Sequence, residues 1–283
     1  MKANKLIFLL GWIIMLGATA LASWDTEEFE KSYSIDGNQF SIELDVDGGV
    51  VEITKNDRPN ECYVYLRYST ENCDREVNFN QQRNHLEIRI DHDWMSHKDK
   101  EDSDHTKIII KLPANPEIDL CANIKAGEIE FELGDLRLRN FALKNWAGDV
   151  TIDFQQPNRT ELESFAVNVK IGETKIERLG NANFKEADIN SGIGELKVDF
   201  TGEKYTNSIA HIDLDIGEST IIVPEAIGVK MKVSKFLFLS EVDYPDYFVR
   251  RGSYYYSDNY EQTNKNLDLA ISSGIGELKV RIK

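Results

Sequence analysis

The sequence predicts an all-β protein, and within that class a parallel β-solenoid with coils of about 22 residues. Three observations predict it. Apolar and polar residues alternate over most of the chain, a glycine-centred motif recurs at a steady spacing, and helical periodicity is almost absent. The alternation is clearest in Phe40, Ile42, Leu44 and Val46, in Leu86, Ile88 and Ile90, in Val167, Val169 and Ile171, and in Leu267, Leu269 and Ile271. A period of two is that of strands with one buried and one solvated face. The octapeptide Ser-Gly-Ile-Gly-Glu-Leu-Lys-Val stands unchanged at Ser191 to Val198 and at Ser273 to Val280. Looser copies centre on Gly127, Gly148, Gly172 and Gly217, so that with Gly194 the consecutive glycines keep a nearly even interval. One coil of that length cannot bury its own apolar side, so successive coils must stack into a continuous core. Glycine at each corner supplies an unusual φ or a close backbone approach. Leucine-rich repeats share the period, but their signature is missing. A β-sandwich with regular hairpins is the competing architecture.

Taken in order, residues 1–22 read as an export signal. Lys2 and Lys5 precede the apolar run Leu6 to Gly17, and Ala20-Leu21-Ala22 offers the small-x-small cleavage pattern. An uncleaved anchor is the alternative, since the run is near the lower limit for crossing a bilayer. No cysteine stands at the cut, which argues against a lipoprotein. No later stretch is apolar over a spanning length, so no membrane insertion is expected after signal cleavage. The expected location is periplasmic, cell-surface or extracellular.

Residues 23–115 are less regular and read as an N-terminal capping β section, in which Asp47 to Ile53 is a degenerate copy of the repeat. Cys62 and Cys73 are spaced to pair across a hairpin-sized gap, leaving Cys121, read as a buried inert thiol. No C-x-x-C exists to support a cysteine zinc site or dithiol chemistry. The stretch Asp91 to His105 holds three of the five histidines and six acids, without the spacing of a defined metal motif. It reads as a charged loop between strands, with metal binding as the sharper alternative.

Residues 116–283 carry the repeats. The residue after each repeat glycine is acidic: Glu128, Asp149, Glu173, Glu195, Glu218 and Glu277. Stacked coils would align these acids in a column, and Lys175, Lys197 and Lys279 lie two residues on, placed to balance three of them. Gly276 follows Gly217 at more than twice the usual interval, which predicts two periods plus an insertion at about 236–262. That insertion holds the best candidate interaction surface: Tyr244, Tyr247, Arg250, Arg251, Tyr254, Tyr255, Tyr256 and Tyr260. Tyrosine and arginine are the side chains that anchor protein and sugar partners.

Charge narrows the partners. The net charge is −16, and the signal segment holds two lysines and no acid, so the remainder stands at −18. Such a surface repels nucleic acid, whose phosphates need clustered Lys and Arg. No G-x-S-x-G, Walker loop or H-E-x-x-H is present, and Gly192-Ile193-Gly194 runs on as strand where a dinucleotide fingerprint needs a helix. No catalytic, metal or cofactor-binding residue is assigned.

The exported start, the tandem Gly-Glu corners, the Tyr/Ser/Asn-rich insertion, the Asn259-Tyr260 pair and the terminal Gly274-Ile275-Gly276-Glu277-Leu278-Lys279-Val280 together resemble a bacterial family. It is that of the adhesin-like, or toastrack-type, β-solenoid domains, related to the C-terminal region of LiaF-like envelope proteins. The resemblance covers about 115–283, and more weakly 35–112. It implies a non-enzymatic envelope or surface domain that scaffolds a protein or glycan partner, and it transfers no catalytic residue. A carbohydrate-active β-helix enzyme and a divalent-cation-binding envelope protein are the alternatives.

Overall fold

The computed structural model describes residues 26–92, 106–203, 206–235 and 240–283. The expected signal segment lies outside them, as do residues 93–105 of the charged loop and 236–239 of the expected insertion. In chain order the strands are β1 (Thr26–Ser34), β2 (Gln39–Lys55), β3 (Glu61–Ser69), β4 (Cys73–Asn80), β5 (His85–His92) and β6 (Lys107–Leu112). There follow β7 (Glu117–Glu132), β8 (Leu138–Ala147), β9 (Val150–Asp153), β10 (Leu162–Glu177), β11 (Phe184–Asp199) and β12 (Ser208–Val223). The last are β13 (Gly228–Lys235), β14 (Ser240–Asp243), β15 (Phe248–Arg251), β16 (Tyr254–Ser257) and β17 (Asn266–Ile282). Among the described residues there is no α-helix, only a 3-10 turn at Leu179–Ala182.

The long strands stack as parallel rungs in the order β2, β7, β8 with β9, β10, β11, β12, β17. This is a parallel solenoid and not a sandwich. The alternation within each rung explains why the stack keeps register: a slip of one residue would turn every apolar side chain to the solvent.

Each rung is one strand bent at its glycine. In β10, Phe165, Val167 and Val169 point inward before the bend, and Thr174 and Ile176 after it. The inward positions thus change from odd to even across Gly172. The bend has φ of +137° at Gly172, and Gly49, Gly127, Gly148, Gly194, Gly217 and Gly276 repeat it with φ between +127° and +142°. Only glycine adopts that region freely. Space excludes other residues as well: a Cβ on Gly172 would lie 2.0 Å from the carbonyl oxygen of Gly148, and one on Gly217 would lie 1.8 Å from that of Gly194. Gly49, in the degenerate copy, stands opposite Gly127 in the same column.

The bent arms enclose a continuous apolar core. Phe141 and Phe165 stack on adjacent rungs with centroids 5.0 Å apart, while Phe131 and Phe154 meet them edge-on. Turns between rungs close the third side, and buried asparagines tie them together. Asn158 accepts from the Leu138 N–H and donates to the carbonyls of Leu138 and Thr160. One coil further on, Asn181 donates to the Phe154 carbonyl and accepts from the Glu203 N–H. A buried turn carries backbone polar groups that no ladder satisfies, and these amides supply the partners.

Both ends are closed by chain that leaves the stack and returns. Beyond β2 the next rung is split between β5 and β6, on which β4 and β3 lie antiparallel, with β1 outermost on β3. Beyond β17 the next rung is split between β13 and β14, with β16 antiparallel on β13 and β15 on β16. Between Gly217 and Gly276 the chain makes the two expected coils, β13 with β14 and then β17, with the β15–β16 hairpin inserted between them. Their order in the stack is reversed from the sequence, because β17 inserts between β12 and the strands that precede it, so Gly276 lies directly on Gly217.

The cysteines also depart from expectation. Cys62 and Cys73 are both buried and are not joined to each other. Cys62 lies on β3, which pairs with β1 and β6, and Cys73 on β4, which pairs with β5, so the two never face across a hairpin. Burial, with Glu61 nearby, pushes the Cys62 thiol well above its usual range, which makes it inert. Cys121 is exposed, because Leu120 and Ala122 take the inward positions of β7.

Candidate interaction surfaces

The tyrosine-rich segment forms the hairpin β15–β16 at the C-terminal end of the stack. It turns through Gly252 and Ser253, with φ of +65° at Gly252. Buried Phe248 anchors one strand. Buried Ser257 anchors the other by accepting from the Val229 N–H at 2.8 Å, while its hydroxyl donates to Asn259. The eight candidate residues divide by role. Tyr247 and Tyr255 pack against the core, the first edge-on to Phe248 and the second 4.7 Å from the Tyr244 ring. Tyr256 and Tyr260 meet edge-on at 5.1 Å. Tyr244, Tyr254, Arg250 and Arg251 are exposed. The arginines lie over Tyr255 and Tyr256 at 5.9 and 5.4 Å, and Arg251 pairs with Glu261. Burial raises the Tyr247, Tyr255 and Tyr260 hydroxyls above their ordinary value, so all three stay protonated donors near neutrality.

The glycine corner carries a second surface that sequence reasoning missed. Alternation with Val167 and Val169 assigns Ile171 to the core, yet it is 55% exposed. Ile193, Ile216 and Ile275, directly opposite on successive rungs, are 48%, 43% and 43% exposed, and Trp146 beside them on β8 is 67% exposed. The chain turns at the glycine, so the residues on both sides of it point outward. The repeated Ile-Gly-Glu triplet is the signal that could have revealed this, had the corner been read as a change of parity.

The acids after the glycines form the expected column, but the lysines balance only part of it. Lys279 pairs with both Glu218 and Glu277, at 2.7 and 2.9 Å. Lys175 pairs instead with Glu177. Among the described residues, Glu128, Asp149, Glu173 and Glu195 take part in no ion pair.

Two smaller constellations lie on the outer face of the first arms. Ser41 and His85 share a hydrogen bond at 2.8 Å across β2 and β5. Among the described residues no carboxylate holds the other ring nitrogen, as a hydrolytic triad would require. Glu186, Asp188 and His211 bring one ligand atom each to within 4.8 Å of one another, all three exposed. Of the charged loop, only Asp91 and His92 are described.

A parallel solenoid with a bent-strand corner, capped at both ends by antiparallel strands, is the class of fold that these elements define. The comparison with known families places the chain further. The model of the N-terminal domain of toast_rack, DUF2154, matches residues 22–177, more than half of the chain. The model of the C-terminal region of LiaF, of the cell wall-active antibiotics response, matches residues 170–280. The chain belongs to the toast_rack family. No curated protein matches it. Among solved structures, a "putative cell adhesion protein" of Clostridium sporogenes is similar at 17% identity, over 91% of this chain and 100% of that one, with a TM-score of 0.48. A "putative adhesin" of Bacteroides fragilis is similar at 12% identity over 90% and 97%, with a TM-score of 0.31. A "putative lipid binding protein" of Parabacteroides distasonis is similar at 12% identity over 89% and 96%, with a TM-score of 0.32.

Proposed function

We propose that this protein is a non-enzymatic, adhesin-like scaffold of the cell envelope or exterior, exported by the signal at its start, that holds a protein or glycan partner on a rigid solenoid. The observation that carries the reading is the end hairpin. It offers exposed Tyr254, Arg250 and Arg251 on strands fixed by Phe248 and Ser257, with exposed Tyr244 against Tyr255 beside them. A rigid aromatic and guanidinium surface binds without the entropy cost of ordering a loop.

The test is binding of the exported chain to immobilised envelope glycans and to intact bacterial cells, compared with a Tyr244→Ser/Tyr254→Ser/Arg250→Ser variant. The expected result is binding that the variant loses at least about tenfold, or about 1.4 kcal/mol. Undiminished binding by the variant would move the contact surface elsewhere. Release of soluble sugar fragments from any glycan would replace the scaffold with an enzyme.

A further inference from the structure

The glycine corner has a composition that the coil itself does not require. The outward position before the glycine is Ile171, Ile193, Ile216 and Ile275 on four successive rungs, but Ala126 and Ala147 on β7 and β8. Alanine closes the corner with the same glycine geometry, at φ of +133° in both Gly127 and Gly148. Large apolar side chains in register at a solvated edge, with exposed Trp146 one position off their column on the next rung, therefore point to a contact outside the coil.

Beside this ridge runs the acid column. Glu128, Asp149, Glu173 and Glu195 stand on successive rungs about 4.8 Å apart. Like charges directly opposite in a sheet destabilise it. Asp149 gains some relief from the Glu173 backbone N–H, which donates to it at 3.3 Å. Positive charge brought by a ligand would remove the remaining repulsion, so ridge and column together describe a partner that is apolar along one stripe and cationic beside it.

The spacing selects the shape of that partner. An α-helix lying along the corner presents a side chain on one face every ~5.4 Å, close to the rung spacing. An extended strand repeats on one face every ~6.8 Å and falls out of step within two rungs. Self-association through this face would set two acid columns against each other. We infer that the Trp146–Ile275 corner is a docking surface for a cationic amphipathic α-helix of a partner polypeptide. Its apolar stripe lies on the isoleucines, and its Lys or Arg flank lies on Asp149, Glu173 and Glu195. Five rungs call for a helix of about 13 residues. This surface is separate from the tyrosine hairpin, so either can fail alone.

The test is titration of the full chain with a fluorescein-labelled peptide of about 14 residues, with leucine at helical spacing and lysine on one flank. We expect saturable binding that weakens with salt, together with a blue shift of Trp146 emission that Trp146→Phe abolishes. Ile193→Ser/Ile216→Ser should weaken binding at least about tenfold, as should scrambling the peptide so that it has no stripe. Glu173→Gln/Glu195→Gln should weaken it severalfold and flatten its salt dependence. Circular dichroism melts check that each variant keeps its fold, which surface substitutions should leave intact. The hairpin variant should bind the peptide normally. Equal affinity for the scrambled peptide, unchanged affinity of the serine variant, or loss of binding in the hairpin variant alone would overturn the inference. Self-association of the chain that the serine substitutions abolish would also overturn it, in favour of a second copy.

Discussion

At Gly194 an added methyl group would stand 2.0 Å from the carbonyl oxygen of Gly172, in a backbone conformation with φ of +142°. Neither the chain nor its neighbour can yield without breaking the ladder on which the next rung rests. Gly194→Ala is expected to cost at least about 3 kcal/mol, from strain and clash together. Gly37 is the control: its φ is +87°, but nothing lies within 4 Å of its Cβ position. Gly37→Ala should cost only about 1 kcal/mol. Urea unfolding of the two variants measures the difference, and equal midpoints would mean that close approach is not what confines the corner to glycine. The glycine column was legible from spacing alone. The exposure of Ile171, Ile193, Ile216 and Ile275 was not, because alternation carried through the corner assigns them to the core.

At the scale of the element, the ladder bonds hold the arms of each coil, while the turns depend on single side chains. Asn158 is fully buried and makes three hydrogen bonds that join one turn to the rung below it. Asn158→Ala would leave the Leu138 N–H without its acceptor in the interior and take a donor from the carbonyls of Leu138 and Thr160, the second of which keeps Asn183. The expected loss is about 3 kcal/mol, given roughly 1–3 kcal/mol for each buried polar group left without a partner and partial relaxation of the turn. Hydrogen exchange should show faster opening at Leu138 and Thr160 than at the β11–β12 ladder; a uniform loss would instead mean that the turn and the ladder open as one unit. The tyrosine hairpin shows what composition hides at this scale. Six tyrosines marked the segment, but contact with the core separates Tyr247 and Tyr255 from exposed Tyr244 and Tyr254.

At the scale of the molecule, the two ends decide whether the stack stays a single chain. A parallel ladder ends in unpaired N–H and C=O groups that would recruit further strands. Here split rungs and antiparallel strands cover both ends, and edge strand β1 carries four glutamates or lysines among its nine residues, namely Glu27, Glu28, Glu30 and Lys31. Removing residues 224–283 would expose the whole of β12, from Ser208 to Val223. That truncated chain is expected to form oligomers or fibrils, detected by light scattering against the intact chain. If it stayed monomeric and folded, the C-terminal cap would serve a purpose other than closing the edge. The excursion between β12 and β17 also means that the core of the last rungs joins residues far apart in sequence, which slows folding.

The sequence by itself determined the strand class, the parallel stacking, the glycine corner and the acid column. Each follows from local periodicity and a repeat, which tie a residue to its neighbours in the chain or to its copy one coil away. Only the tertiary structure decided the order of the last rungs, the separation of Cys62 from Cys73, the division of the tyrosines and the apolar ridge. These depend on which way the chain turns at a bend and which strand lies across from which. Those choices are made by burial and ladder pairing between segments with no fixed separation in sequence, so no period in the sequence records them.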